Sequence, residues 1–139
     1  MYNQISTFPF KQIYAGDFEF YGDDGENPQV VCMVVQDLRT GAISRYWRDQ
    51  LLEMKTPPFQ TGGDTLLLTF FASAEIQSML ALKWPTNVSV IDLFTEFRCA
   101  TNGNPDVGRK GLINALAYYQ LDHLIPEQKD AMRALILSG

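Results

Sequence analysis

At Asp64 the hydrophobic pattern of this chain changes character, and that change limits what the chain can fold into. Before it, three strand-like segments follow one another through short polar turns. Gln12 to Tyr21 predicts a first strand, closed by Gly22-Asp23-Asp24-Gly25-Glu26-Asn27-Pro28, which has the composition of an exposed turn. Gln29 to Leu38 contains Val30-Val31-Cys32-Met33-Val34-Val35, a β-branched run that predicts a strand buried on both faces. Arg39-Thr40-Gly41 predicts a hairpin turn into a third strand, Ile43 to Arg48. Gln50 to Met54 suits a short helix, broken by Pro57-Pro58. From Asp64 the pattern becomes strand and helix in alternation. Asp64 to Phe71 predicts a buried strand running directly into a helix over Ala72 to Leu82, apolar at Ile76, Met79, Leu80 and Ala81. Val88 to Ile91 predicts another strand, and Asp92 to Ala100 a helix. Three strands on short loops make an antiparallel meander, and strand–helix–strand makes a right-handed crossover into a parallel pair. Their union is an α/β fold with a five-stranded mixed sheet flanked by helices.

Two further amphipathic helices are predicted, Gly111 to Leu121 and Glu127 to Leu137, with Pro126 near the start of the last, where its missing N–H costs little. With 139 residues the chain is expected to be a single domain over 1–139, large enough to bury a sizeable core. A content of 46% hydrophobic and 19% charged residues excludes disorder. The formal net charge of −5 argues against tight nonspecific binding of nucleic acid, which usually needs a basic surface. Cys32 and Cys99 form no CxxC pair, so both are expected as buried free thiols in a reducing cytoplasm. His123 is the single histidine, which leaves zinc little support. Met1 to Lys11 lacks the pattern of a signal peptide, and no apolar stretch approaches the length of a membrane span.

The chemistry concentrates in Asp17-Phe18-Glu19, set inside the apolar run Ile13 to Tyr21. Side chains alternate along a strand, so Asp17 and Glu19 share one face. Like charges that close repel unless a cation lies between them. The cation that suits hard carboxylate oxygens and several waters is Mg²⁺ or Mn²⁺, and such a site on a strand centre points to phosphate chemistry. The plainer alternative is an acidic pair on the solvated face of an antiparallel strand.

The order of elements is that of the ribonuclease-H-like fold, and the chain resembles the 3′–5′ exonuclease (proofreading) domain of family A DNA polymerases, of the DEDD exonuclease superfamily. The family's first motif, Asp-x-Glu on the first strand, matches Asp17 and Glu19. The second, at the end of the fourth strand, is usually Asn-x-x-Phe-Asp. Phe71-Ala72-Ser73-Ala74-Glu75 stands there, so Glu75 takes the carboxylate position without the usual Asn and aromatic. Val90-Ile91-Asp92-Leu93-Phe94-Thr95-Glu96-Phe97-Arg98 resembles the next strand–helix junction, and Lys110 to Tyr119 the helix after it. The third motif, Tyr-x-x-x-Asp or His-x-x-x-x-Asp, is missing. Tyr118 and Asp122 have the spacing but come inside an earlier helix, and His123 has no Asp five residues on. The domain is therefore expected to lack its last helix, with the chain stopping at Leu137-Ser138-Gly139.

The resemblance implies hydrolysis of 3′-terminal nucleotides with two Mg²⁺ or Mn²⁺ ions. Asp17, Glu19 and Glu75 would be the catalytic ligands, and Asp92 a further metal ligand or, alternatively, an N-cap. Phe18, Phe20 and Phe71 are candidates to wedge the 3′ end, against a reading as core residues. Arg98 would pair with Glu96 or Asp92, or reach a phosphate. The implied partners are single-stranded DNA or frayed 3′ ends and a DNA polymerase domain, in a bacterial or phage-encoded cytoplasmic protein. Self-association through the last helix is a further expectation. The rival reading is a catalytically inactive ribonuclease-H-like module that serves as scaffold or interaction domain.

Overall fold

A computed structural model describes residues 2–23 and 25–138, apart from the side chains of Tyr2 and Asn3; Met1, Asp24 of the first turn and Gly139 lie outside the described residues. Strands β1 (Gln12–Tyr21), β2 (Gln29–Asp37) and β3 (Ile43–Trp47) form the antiparallel meander. Gly41 closes the second hairpin at φ 80°, where its N–H donates to the Asp37 carbonyl at 2.7 Å. The Asp37 carboxylate accepts from the N–H groups of Arg39 and Thr40 in the same turn. Strand β4 (Gly62–Thr69) adds parallel to β1, and β5 (Val88–Asp92) parallel to β4, giving the order β3-β2-β1-β4-β5. The first strand is thus the centre of the sheet. Strand order and direction together define a ribonuclease-H-like α/β fold.

Alternation along the strands puts Tyr14, Phe18, Met33, Val35 and Leu67 into one core cluster. Against them lie Leu51 of α2 (Arg48–Glu53), Met79 of α3 (Ala72–Ala81), Phe59 and Trp84. The Trp84 indole N–H donates to the Met54 carbonyl, so the ring is buried without an orphaned donor. Helices α4 (Leu93–Ala100), α5 (Leu112–Tyr118) and α6 (Pro126–Leu137) complete the chain, with α6 lying against β1. A short helix α1 (Tyr2–Ile5) precedes β1, and Arg39 holds its end and the following segment by donating to the carbonyls of Ile5, Phe8 and Phe10.

Several expectations need correction. β2 is not buried on both faces: Met33 and Val35 are buried in the core, whereas Val34, which points to the opposite face, is 39% exposed. Cys99 is exposed on α4 and Cys32 only half-buried, although both thiols are free. Helix α5 stops at Tyr118, since Gln120 adopts φ 57° and the chain reverses there. Asp122 consequently lies beyond that helix, which removes the helical i, i+4 relation between Tyr118 and Asp122. Among the described residues no helix is long and apolar enough to cross a membrane.

Candidate active site

β1 and β4 run parallel only from Gln12 to Ala15, paired with Thr65 to Leu68. Beyond that the chain leaves the sheet. Phe71 turns it at φ 78°, ψ 64°, a left-handed conformation uncommon for a bulky residue, and α3 begins at once. The departure strips the centre of β1 of its ladder partner on the β4 side. Glu75, in the first turn of α3, fills the gap: its Oε2 accepts the Phe18 N–H at 3.0 Å. The carboxylate is 4% exposed.

Phe18 points into the core, so its neighbours Asp17 and Glu19 point to the opposite face. They stand opposite Val34 and Cys32 of β2, with a register shift just after Glu19. The structure therefore brings Asp17, Glu19 and Glu75 around one residue of the central strand. Their charges act on one another. Burial, then the charges of Asp17 and Glu19, push Glu75 up to about 8, against the opposing Phe18 N–H. Asp17 is also raised, first by desolvation and then by Glu19, while Lys129 draws it back. Water reaches the outer side of Asp17, so its desolvation is partial and smaller in consequence than that of Glu75. Burial, with Glu19 and Asp17 nearby, likewise raises the Cys32 thiol and keeps it protonated.

Two cations belong to this cluster that the motifs did not reveal. Lys129 and Arg133 lie one helical turn apart on α6; Lys129 acts on Asp17, and the Arg133 Nε stands 3.6 Å from Glu19 Oε2. Their i, i+4 spacing was the available signal.

Asp92 fits the capping alternative. It caps α4, accepting from the Phe94 N–H at 3.0 Å, and ties α3 to α4 by accepting from the Phe71 N–H at 2.9 Å. Its second oxygen accepts from the Thr95 hydroxyl. Burial acts to raise its pKa, but the donors Phe71, Ala72, Phe94 and Thr95 outweigh it and hold the carboxyl below its usual value. Arg98, expected in an ion pair, instead stacks its guanidinium 5.5 Å from the centre of the Phe94 ring. Of the wedge candidates, Phe18 is core and Phe20 packs against it, whereas Phe71 is 49% exposed at the start of α3. Tyr118 packs edge-on against Phe97, and exposed His123 bonds to the Leu121 carbonyl.

Hard carboxylates in this number, one of them raised by burial and by its acidic neighbours, fit Mg²⁺ or Mn²⁺ by donor chemistry. Among the described residues, however, no three acidic, histidine or cysteine side chains stand ready as a ligand set. Glu75 is turned to the Phe18 N–H and Glu19 lies beside Arg133, so ion binding requires both to reorient.

No protein-family model matches the chain, and no curated protein matches it. Among solved structures, the chain is similar to the EXO domain of Nibbler from Aedes aegypti, at 12% identity and a TM-score of 0.44, over 75% of this chain and 53% of that one. It is also similar to the family B DNA polymerase of the hyperthermophilic archaeon Pyrobaculum calidifontis, at 14% identity and a TM-score of 0.50. That match takes in 91% of this chain but 22% of the polymerase. The chain thus spans about half of the first structure and about a fifth of the second. At such identities the likeness is one of fold.

Proposed function

We propose that this chain is a metal-dependent 3′–5′ exonuclease domain, acting on single-stranded or frayed 3′ ends of DNA in the manner of a polymerase proofreading domain. The convergence of Asp17, Glu19 and Glu75 around Phe18 carries the reading. The family A type is supported by the Asp-x-Glu motif and the order of the later motifs.

In this reading Asp17, Glu19 and Glu75 hold Mg²⁺ or Mn²⁺. When bound, the metal supplies an activated water and charge neutralisation at the scissile phosphate, with two ions expected from the resemblance. The chain's own groups do the rest. Glu75 keeps a proton near neutral pH and releases it as the cation arrives. Phe71, exposed and fixed by the Asp92 hydrogen bond, offers its ring to the terminal base. Lys129 and Arg133 balance the carboxylates when no divalent ion does.

That last pair also favours a second reading, a non-catalytic module whose acidic cluster is neutralised internally. Hydrolysis of a 5′-labelled single-stranded oligonucleotide with Mn²⁺, comparing wild type with Asp17→Ala, separates the two. The exonuclease yields a ladder shortened from the 3′ end that the substitution abolishes. Full-length substrate after prolonged incubation with wild type supports the module.

A further inference from the structure

Past Glu19 the same sheet face ends in a hollow that the nuclease chemistry leaves unexplained. Tyr21 follows Glu19 by two residues and shares its face. Across the sheet the register runs Glu19, Cys32, Trp47, so Trp47 stands two strand spacings from Glu19, roughly 10 Å away. Tyr21, Trp47 and Arg48 line a concavity of about 480 Å³, with Val31 and Leu137 among its apolar walls and Asp49 also lining it. That volume lies within the usual range for a small-molecule site.

Three features point to an occupant. Trp47 is 55% exposed and Tyr21 43%, whereas Trp84 is 3% exposed, so these two rings are presented rather than packed. The Arg48 Nη1 donates to the Tyr21 hydroxyl at 3.0 Å, which fixes the cation beside the aromatic wall. Among the described residues no carboxylate lies within ion-pair distance of Arg48, leaving further guanidinium donors for an anion. Aromatic faces beside an unspent guanidinium are the means by which single strands are held through base stacking and phosphate contact.

We propose that this hollow is a nucleotide subsite, in which a base stacks on Trp47 and Tyr21 and Arg48 takes its phosphate, for a single strand whose 3′ end reaches the carboxylates. The choice of occupant rests on the exonuclease reading. The site itself is set by Tyr21, Trp47 and Arg48.

Binding of a short labelled oligothymidylate to the full chain, by anisotropy at low salt with a chelator present, tests it. Trp47→Ala and Arg48→Ala should each weaken binding at least about fivefold, and Trp47→Phe, which keeps a ring, should restore most of it. Melting curves establish that each variant is folded. In wild type, the oligonucleotide should quench tryptophan fluorescence, a signal that buried Trp84 contributes little to. Equal affinity across wild type, Trp47→Ala and Arg48→Ala overturns the subsite, as does the absence of binding by wild type. Ring-dependent binding without Mn²⁺-driven hydrolysis upholds the subsite and removes the exonuclease reading. Hydrolysis unaltered by both alanine substitutions removes the subsite alone.

Discussion

Glu75 carries two loads: it satisfies the Phe18 N–H and it is the most perturbed acid of the cluster, raised to about 8. Its folded-state pKa lies above its unfolded value of about 4.5, so the native state holds the proton longer than the unfolded chain does. Stability from this group is full below the unfolded value and is lost as pH rises towards 8, by up to about 1.4 kcal/mol per pH unit in that window. Glu75→Gln keeps a hydrogen-bond acceptor and cannot ionise. Its urea unfolding free energy should be flatter than that of wild type between pH 5 and 8; parallel curves would show that Glu75 does not titrate in this range. Asp92 has the opposite sign. Its pKa is depressed, so its contribution is present at neutral pH and disappears on acidification. Asp92→Ala should cost about 1–2 kcal/mol at pH 7, as a lost cap does, with a shrinking penalty towards pH 3 and unchanged Mn²⁺ affinity. Weakened Mn²⁺ binding in that variant would make Asp92 a metal ligand as well as a cap. Asp17 and Glu19 could be read from the chain because strand alternation alone places them on one face. The low titration of Asp92 could not, since it depends on the Phe71 N–H reaching it from another element.

At the scale of elements, the early exit of the chain after β4 makes the site. Had β4 continued, Phe71 would have faced Phe18 and no side chain would be needed there; instead α3 starts at Phe71 and delivers Glu75. Met79 anchors that helix and is fully buried, so Met79→Ala should lower stability by about 2–5 kcal/mol in chemical denaturation, with the loss of α3 closure dragging Glu75 from its place. Helix α6 differs in kind. It has no buried residues, leaves Leu135 74% exposed, and meets the cluster through Lys129 and Arg133. Arg133 is more than half exposed, so removing both charges should cost at most about 1 kcal/mol of stability. The larger effect is on the carboxylates: Lys129→Ala with Arg133→Ala should tighten Mn²⁺ binding several-fold in calorimetry, because the ion no longer competes with fixed cations. Unchanged or weaker binding would mean that the two residues do not screen the site. Hydrophobic periodicity predicted these helices closely, to within a residue or two for α3, α4 and α6. It could not show what α6 covers, because a solvated face and a face turned to carboxylates have the same composition.

At the scale of the molecule, the −5 charge disfavours a polyanion, and Lys129 and Arg133 beside the carboxylates offset this locally. The topology was legible because the meander followed by strand–helix–strand admits few arrangements. The orientation of the site was not: Glu75 engages backbone and Glu19 lies beside Arg133 through contacts of long sequence separation that no local pattern encodes. Whether Asp17, Glu19 and Glu75 bind a divalent ion is tested most directly by calorimetric titration of Mn²⁺ at pH 7 in two buffers of different ionisation heat. Saturable binding with a proton released, lost in Asp17→Ala and stripped of its proton in Glu75→Gln, is the expected result. Absence of Mn²⁺ binding in the wild-type chain, or binding that survives Asp17→Ala unchanged, would contradict a metal centre on the first strand.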